Sequence, residues 1–573
     1  MLDDDITGVA ARSNPPVRVA THPIAPLAAV GAIVTVLRLL VSGSRTTYSI
    51  WPDEPAQLAM ARFLAGGTRW NMHDHSTWRP AYALLISPVY WFTDDATTVF
   101  RSAMVVNAAL GGVAAVLLVL LTRRLTTLSA WASAVPAGVV MTAPASLFVT
   151  DFVWSESLVV VLFLATLLAF VRFDEAPDLA RGAVAVAAAT AAFATHSRML
   201  PLVAVGIGIV LVAWRQGRTD VRVVAVCSAA AIAGAGFVQW ASGAIVDRLW
   251  RDAAETNTVG AVAERAGDLG PLVVAAAGQW WYLVVSSLGI VGLGVWDIVR
   301  RIADGHDEQR RATAIVAVST LGCVALSVVF MSERVRADRI VYGRYNDAVI
   351  APVLVVGIAV LVGSIGTRRI AAVSGAVGAS VVMAAVVLTA FRSEPLAGDN
   401  GVEPMILGLQ PFVSGRSSID VVPITLAALV LGTAVVAASR LPRAGGPRHV
   451  SAAGLIGLLL VVGGIRTADV IARGWNDTTD IEPIQALADG PLAGGEPVDF
   501  YVRPGSDDTK ALMVYQFVLP QSAFTVTEAL DDGDARYVVA PSDSDWPADH
   551  PARSVWSDSL RGISLWERAR HGQ

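Results

Sequence analysis

From about residue 23 to residue 470, long apolar runs alternate with short polar turns. A helix needs about 20 apolar residues to cross a bilayer. The runs predict thirteen spans, near 23–42, 99–121, 130–149, 153–172, 181–196, 200–214, 222–240, 271–295, 312–331, 347–365, 370–391, 421–437 and 449–470. The run 80–93 contains Pro80 and Pro88 and is short for a span, so it is expected as a re-entrant or juxtamembrane helix. From Trp475 the character changes to many Asp, Gly and Pro and no span. There PVDFYV (497–502), ARYVVA (535–540) and GISLWE (562–567) read as strands, and TKALMVYQFV (509–518) reads as a helix. The expected fold is an all-α polytopic membrane protein of about 13 helices with a small C-terminal α/β domain. Its divisions are a tail at 1–22, a transmembrane domain at 23–474 with a first outer loop at 43–98, and the α/β domain at 475–573.

Composition agrees with this pattern. The chain is 54% hydrophobic and 16% charged, against about 25% charged for soluble domains. That excludes a soluble enzyme. A net charge of −5 without a polybasic tract excludes a nucleic-acid binder. Residues 1–22 lack a basic leader and a small-residue cleavage site, so the first span is expected to be retained as an anchor. Cys227 and Cys323 lie in apolar runs and read as buried small hydrophobes.

Arginine decides sidedness. With 80–93 not spanning, Arg123/Arg124, Arg172/Arg181, Arg215/Arg218/Arg222, Arg300/Arg301/Arg310/Arg311, Arg368/Arg369 and Arg440/Arg443/Arg448 share one side. The positive-inside rule makes that side cytoplasmic. The N-terminus is then inside, and the C-terminal domain is outside a plasma (inner) membrane.

Span centres are nearly free of charge; Arg38, Arg101 and Arg466 lie near span ends, and Gln279 is a polar exception. The remaining polar groups gather at the outer ends of helices, which points to a reaction at the outer surface. In the first outer loop, Asp53 and Glu54 precede Pro55, which suits a first helical turn. Either acid could act as a general base or simply cap a helix. His73, Asp74 and His75 follow; their spacing could aim both histidines one way, but no third ligand is indicated, so no metal and no cofactor is expected. Contact of His73 and Asp74 with a sugar is the favoured reading. Asp151 and Glu156 flank the short second outer loop, where solvated acids are an equal reading. His196 and Arg198 stand before Pro201. In SERVRADRIVYGRYND, Arg334, Arg336, Arg339 and Arg344 outnumber Glu333, Asp338 and Asp347 on the side where positive charge is disfavoured. Arginine's planar fork matches phosphate oxygens, and Tyr342 and Tyr345 add hydroxyls.

These residues resemble those of the GT-C superfamily of membrane glycosyltransferases, among them protein O-mannosyltransferases, lipid A aminoarabinose transferases and actinobacterial arabinofuranosyltransferases. The resemblance rests on Asp53–Glu54, on Arg79–Pro80 before the short apolar helix, on Ser155–Glu156, on Gly343–Arg344–Tyr345, and on the overall layout. It implies inverting transfer of a sugar from a polyprenyl-phosphate lipid to an extracytoplasmic glycan, lipid or protein acceptor. Asp53 would be the base, with Glu54 beside it. Arg344, Tyr345, Tyr342 and Arg198 would hold the donor phosphate, and Glu156, His73, Asp74 and Arg79 would contact sugar or acceptor. A polysaccharide polymerase and a lipid-linked sugar flippase or transporter are the alternatives. A flippase needs polar groups along a path through the bilayer, and the spans show none.

Overall fold

The computed structural model describes residues 24–43, 45, 47–48, 53–70, 79–249, 262, 264–304, 307–332, 340–363, 365–390, 405–413, 419–440, 461–465, 480–503, 508–530, 533–546 and 551–569. Its helices are α1 (Ile24–Ser42), α2 (Asp53–Leu64), α3 (Pro80–Ile86), α4 (Ala96–Leu125), α5 (Ala130–Met141), α6 (Pro144–Phe148), α7 (Glu156–Glu175), α8 (Leu179–Thr195), α9 (Leu200–Arg215) and α10 (Val221–Leu249). They continue with α11 (Leu269–Ser286), α12 (Ile290–Asp304), α13 (Asp307–Met331), α14 (Arg344–Asp347), α15 (Ala351–Val362), α16 (Thr367–Ala390), α17 (Gln410–Val413) and α18 (Val421–Ala438). The C-terminal region adds α19 (Glu482–Ala488), β1 (Val498–Tyr501), α20 (Asp508–Val518), β2 (Phe524–Thr527), β3 (Tyr537–Pro541), β4 (Ala552–Asp558) and β5 (Ile563–Arg568).

Among the described residues, nine helices are long and apolar enough to cross a membrane. The expected span at 130–149 is a pair, α5 and 144–151, bent by 69°. Those at 181–196 and 347–365 are apolar helices of 17 and 12 residues. The one at 449–470 lies outside the described residues except for 461–465. Residues 80–91 form α3 and a 3-10 turn, too short to cross.

One boundary differs from the sequence reading. The span expected at 271–295 stops at Ser286, and α12 begins at Ile290. Leu288 and Gly289 between them have φ of 52° and 84°, a left-handed step that a helix cannot absorb. The traverse nevertheless continues. Trp281 Nε1 donates to Thr425 Oγ1 near the start of α18 (2.8 Å), while Arg301 near the end of α12 donates to the carbonyl of Leu125, the last residue of α4 (2.7 Å).

Large apolar side chains such as Ile33, Leu40, Ile232, Phe237, Met383 and Val430 are exposed around the bundle. That is the surface a bilayer covers. Lipid gives no hydrophobic drive between helices, so close approach of small residues matters. α1 packs on α4 in this way: a Cβ at Gly112 would lie 2.1 Å from Thr35 Oγ1, and one at Gly111 would lie 2.3 Å from Arg38 Cδ. Gly111 thus makes room for the Arg38 side chain to lie across α4.

The C-terminal sheet has the order β2-β1-β3-β5-β4. β1 runs parallel to β2 and β3, and β5 runs antiparallel to β3 and β4. The sequence reading found β1, β3, β5 and α20 but not β2 or β4, which are a short strand and an edge strand of mostly polar residues. α20 meets the sheet through Tyr515, whose ring lies edge-on to Phe500 and Trp556 at 5.9 and 6.3 Å. This region packs against the first loop: Phe517 meets Tyr48 and Trp70 edge-on at 5.0 and 6.0 Å, and Arg62 donates to the Pro520 carbonyl (2.8 Å).

Candidate active site

The segment 149–155 joins the bent pair to α7 and lies under α2. Its backbone is held from several directions. Arg38 donates to Thr150 Oγ1 (2.7 Å) and to the Met141 carbonyl (3.1 Å). Arg45 donates to the Asp151 carbonyl (2.7 Å). Asn107 donates to the Phe152 carbonyl (2.8 Å) and accepts from the Tyr82 hydroxyl (2.8 Å). Both arginines are buried, so each of these bonds replaces one that water would have made.

Onto this frame the first turn of α2 brings two acids that point to different partners. Glu54 is fully buried; it accepts from the Val153 amide (3.0 Å) and lies 3.7 Å from Arg45. Asp53 instead meets the Arg344 guanidinium through Nη1. Nε of Arg344 meets Glu156, the first residue of α7. Arg344 is 3% exposed, and its guanidinium lies 3.7 Å from the Trp154 ring centroid. Trp154 is in turn stacked on Phe152 at 4.0 Å. Burial opposes the charge on Arg344, but the Glu156 and Asp53 carboxylates more than offset it and hold it protonated well above its usual range.

A second arginine stands beside this trio with a nitrogen uncommitted. Arg198 is 7% exposed and stacks on Tyr345 at 3.3 Å, while its Nη1 is buried without a hydrogen-bond partner. Tyr345 also meets Tyr342 and the edge of His196. His196 Nδ1 accepts from the Arg198 amide (3.2 Å).

On the other side of Arg344, Asp347 accepts from the Tyr282 hydroxyl (2.5 Å), which itself accepts from the Gly408 amide (2.9 Å). Gly343 permits this: a Cβ there would lie 1.9 Å from the Tyr282 ring. Two pockets meet at Asp347. One, about 410 Å³ with its opening to solvent counted, is lined by Arg38, Glu156 and Arg344. The other, about 640 Å³ counted the same way, is lined mainly by apolar side chains, among them Val139, Val140, Leu283, Ile290, Leu354 and Ile358. Asp347, Ala145 and Ser146 line both.

Of the residues singled out in the sequence, Asp53, Glu156 and Arg344 converge, with Arg198, Tyr342 and Tyr345 adjoining. Asp151 is 3% exposed rather than solvated, because α1 and α4 close over the short loop. Arg79 turns away to α10, donating to Ser242 Oγ (3.1 Å) and Gln239 Oε1 (2.7 Å), with its charge over Phe193. Gln279 accepts from Asn346 (2.9 Å). His73 and Asp74, like Arg334, Arg336 and Arg339, lie outside the described residues. Among the described residues, no three His, Cys, Asp or Glu side chains gather as a metal site. The sequence reading missed Arg45, Trp154, Asn107 and the Tyr282–Asp347 pair. An arginine inside an apolar helix, as at Arg38, was the one available signal.

No protein-family model and no curated protein matches the chain. Solved structures do. ArnT from Cupriavidus metallidurans bound to undecaprenyl phosphate superposes with a TM-score of 0.53 at 14% identity, over 95% of this chain and 98% of that one. The apo state of that protein gives 0.51 at 13% identity, over 94% and 97%. The archaeal oligosaccharyltransferase AglB from Archaeoglobus fulgidus gives 0.46 at 10% identity, over 91% and 69%, too loose a likeness to build on. The chain shares its overall fold with ArnT.

Proposed function

We propose that the protein is a polyprenyl-phosphate-sugar-dependent glycosyltransferase that acts at the outer face of the plasma membrane. The observation that carries this reading is the Asp53–Arg344–Glu156 cluster, whose Glu156 and Arg344 line a pocket that adjoins a largely apolar one at Asp347, with an uncommitted Arg198 nitrogen beside it. The similar ArnT structure holds undecaprenyl phosphate, which makes a polyprenyl phosphate the first donor lipid to try.

The chemistry follows from the residue types. An acceptor hydroxyl is a poor nucleophile until a carboxylate takes its proton. Asp53, more exposed than Glu54 and Glu156, is that carboxylate. As the acceptor oxygen bonds to C1 from the face opposite the lipid, the C1–O bond to phosphate breaks. Its electron pair leaves with the phosphate oxygen, and the anomeric centre inverts. The departing polyprenyl phosphate is a stable anion that needs fixed positive charge rather than a proton; Arg344 and Arg198 supply it, with Tyr342 and Tyr345 around them. Glu54, taken up by Arg45 and Val153, holds the loop in place. The apolar cavity between α5, α11 and α15 takes the first isoprene units.

Sidedness follows from charge. Arg123, Arg172, Arg215 and Arg301 stand at the ends of α4, α7, α9 and α12, and the site stands at the other end of the bundle. The positive-inside rule puts the site and the C-terminal domain outside. Beside the first loop, that domain is placed to meet the acceptor.

The test is transfer of label from radiolabelled polyprenyl-phosphate mannose or arabinose to a panel of glycan, lipid and peptide acceptors by the purified protein. Transfer with inversion supports the reading. Donors that fail to bind would overturn it.

A further inference from the structure

In the structure two of the three guanidinium nitrogens of Arg344 are taken, and Nη2 is left. Its Nη1 is on Asp53 and its Nε on Glu156, and the ring of Trp154 covers its face. A donor phosphate gripped in the bidentate manner needs Nη1 together with Nη2, and Nη1 is already held by Asp53. Asp53 Oδ2, held on that nitrogen, is in turn not open to a hydroxyl proton.

The two difficulties cancel if one contact is exchanged for the other. We propose that the donor phosphate displaces Asp53 from Arg344, so that donor binding itself releases the base. The inference rests on the reading of Asp53 as base and deepens it. Three features of the geometry favour an exchange at Asp53 over one at Glu156. Asp53 is 13% exposed and Glu156 is 2% exposed, so Asp53 is the partner that an incoming ligand and water can reach. Glu156 sits on the first turn of α7, a 20-residue helix, where it keeps Nε while Nη1 changes partner. Arg198 waits beside it, stacked on Tyr345, with Nη1 free to take a second phosphate oxygen as Arg344 takes the first.

Glu156 is thus a positioning residue: Arg344 pivots on it between base and phosphate. Without donor, Asp53 stays tied and cannot activate a hydroxyl or a water. With donor bound, it is freed next to C1. The exchange involves no covalent step, since one ion pair replaces another and no proton moves until the acceptor arrives.

The exchange makes an unusual demand on binding. If Asp53 competes with phosphate for Arg344, removing its charge must strengthen phosphate binding even as it removes the base. The experiment measures the affinity of the full-length protein, in detergent or nanodiscs, for undecaprenyl monophosphate. Asp53→Asn is expected to bind at least about tenfold more tightly than wild type, in the range found for close charge pairs. Arg344→Ala is expected to bind weakly, and the double variant Asp53→Asn/Arg344→Ala to show no gain over Arg344→Ala. That cycle separates exchange at Arg344 from a general easing of negative charge, which would persist in the double variant. Affinity of Asp53→Asn equal to wild type, or a gain that survives without Arg344, overturns the exchange. The base assignment fails independently: Asp53→Asn that binds tightly and still transfers sugar keeps the exchange and removes the base, whereas a dead variant with unchanged affinity keeps the base and removes the exchange.

Discussion

Both ends of the helical bundle bury arginine–carboxylate clusters, and the two are built to opposite plans. At the end where α4, α7 and α12 finish, Asp297 takes Arg300 on one oxygen (2.6 Å) and Arg301 on the other (2.5 Å). Arg301 spends a further nitrogen on the Leu125 carbonyl, which Gln309 also meets (2.9 Å). Asp174 likewise takes Arg218 (2.7 Å) and Arg311 (2.8 Å), one oxygen each. Each carboxylate there takes two guanidiniums, one on each oxygen, and further arginine nitrogens go to carbonyls. At the site end, Arg198 Nη1 and Asp151 Oδ1 are buried without partners, and the Arg344 cluster opens onto a cavity. A saturated cluster fastens helices together. One with orphaned atoms beside empty volume is built to receive something.

The comparison breaks most visibly at Asp297. Asp297→Ala leaves two guanidiniums without their carboxylate at the junction of α12 and α4. Breaking a buried pair costs about 3–5 kcal/mol, and because Arg300 and Arg301 can reach water the low end, about 3 kcal/mol, is expected. The thermal midpoint in detergent should fall, while sugar transfer per folded molecule stays near wild type. A variant that is stable but inactive would place this cluster in the site and dissolve the distinction.

Arg198→Gln sharpens the other side. It removes the uncommitted nitrogen and its charge from the phosphate position. Affinity for undecaprenyl monophosphate should weaken by about tenfold, or ~1.4 kcal/mol, with little change in the thermal midpoint, because the lost contacts are ring stacking and not a lattice of hydrogen bonds. Isothermal titration or quenching of tryptophan fluorescence measures it. Smaller still is Trp154→Leu, which keeps an apolar side chain under Arg344 but removes the ring face. With leucine still covering the guanidinium, loss of the ring face is expected to cost about 0.5–1 kcal/mol, the low end for a cation–π contact, so transfer should drop several-fold and not vanish, as a rate assay at saturating donor would show.

The architecture was legible from the sequence because lipid forces long apolar helices on the chain, and nine of the described helices coincide with expected spans. The step at Leu288–Gly289 was not, since an apolar run gives no sign of where its backbone turns left-handed. The acids and arginines that form the site were legible as types on one side. Which of them meet was not. Asp53 and Arg344 are separated by 291 positions, and the bond between them exists only after α2, α7 and α14 converge. For the same reason Glu54 and Asp53 could not be told apart by position; the Val153 amide makes the difference. Arg79 looked like part of the site from its neighbours in the chain, and α10 claims it.

The central claim is that Asp53 at the outer end acts as the base for sugar transfer from a polyprenyl-phosphate donor. The most direct measurement compares single-turnover transfer by wild type and Asp53→Asn, with radiolabelled polyprenyl-phosphate sugar prebound and acceptor added last. Loss of a general base lowers the rate by about 10²–10⁴-fold, and that loss is expected with donor bound at least as tightly as by wild type. A rate within a few-fold of wild type would contradict the account.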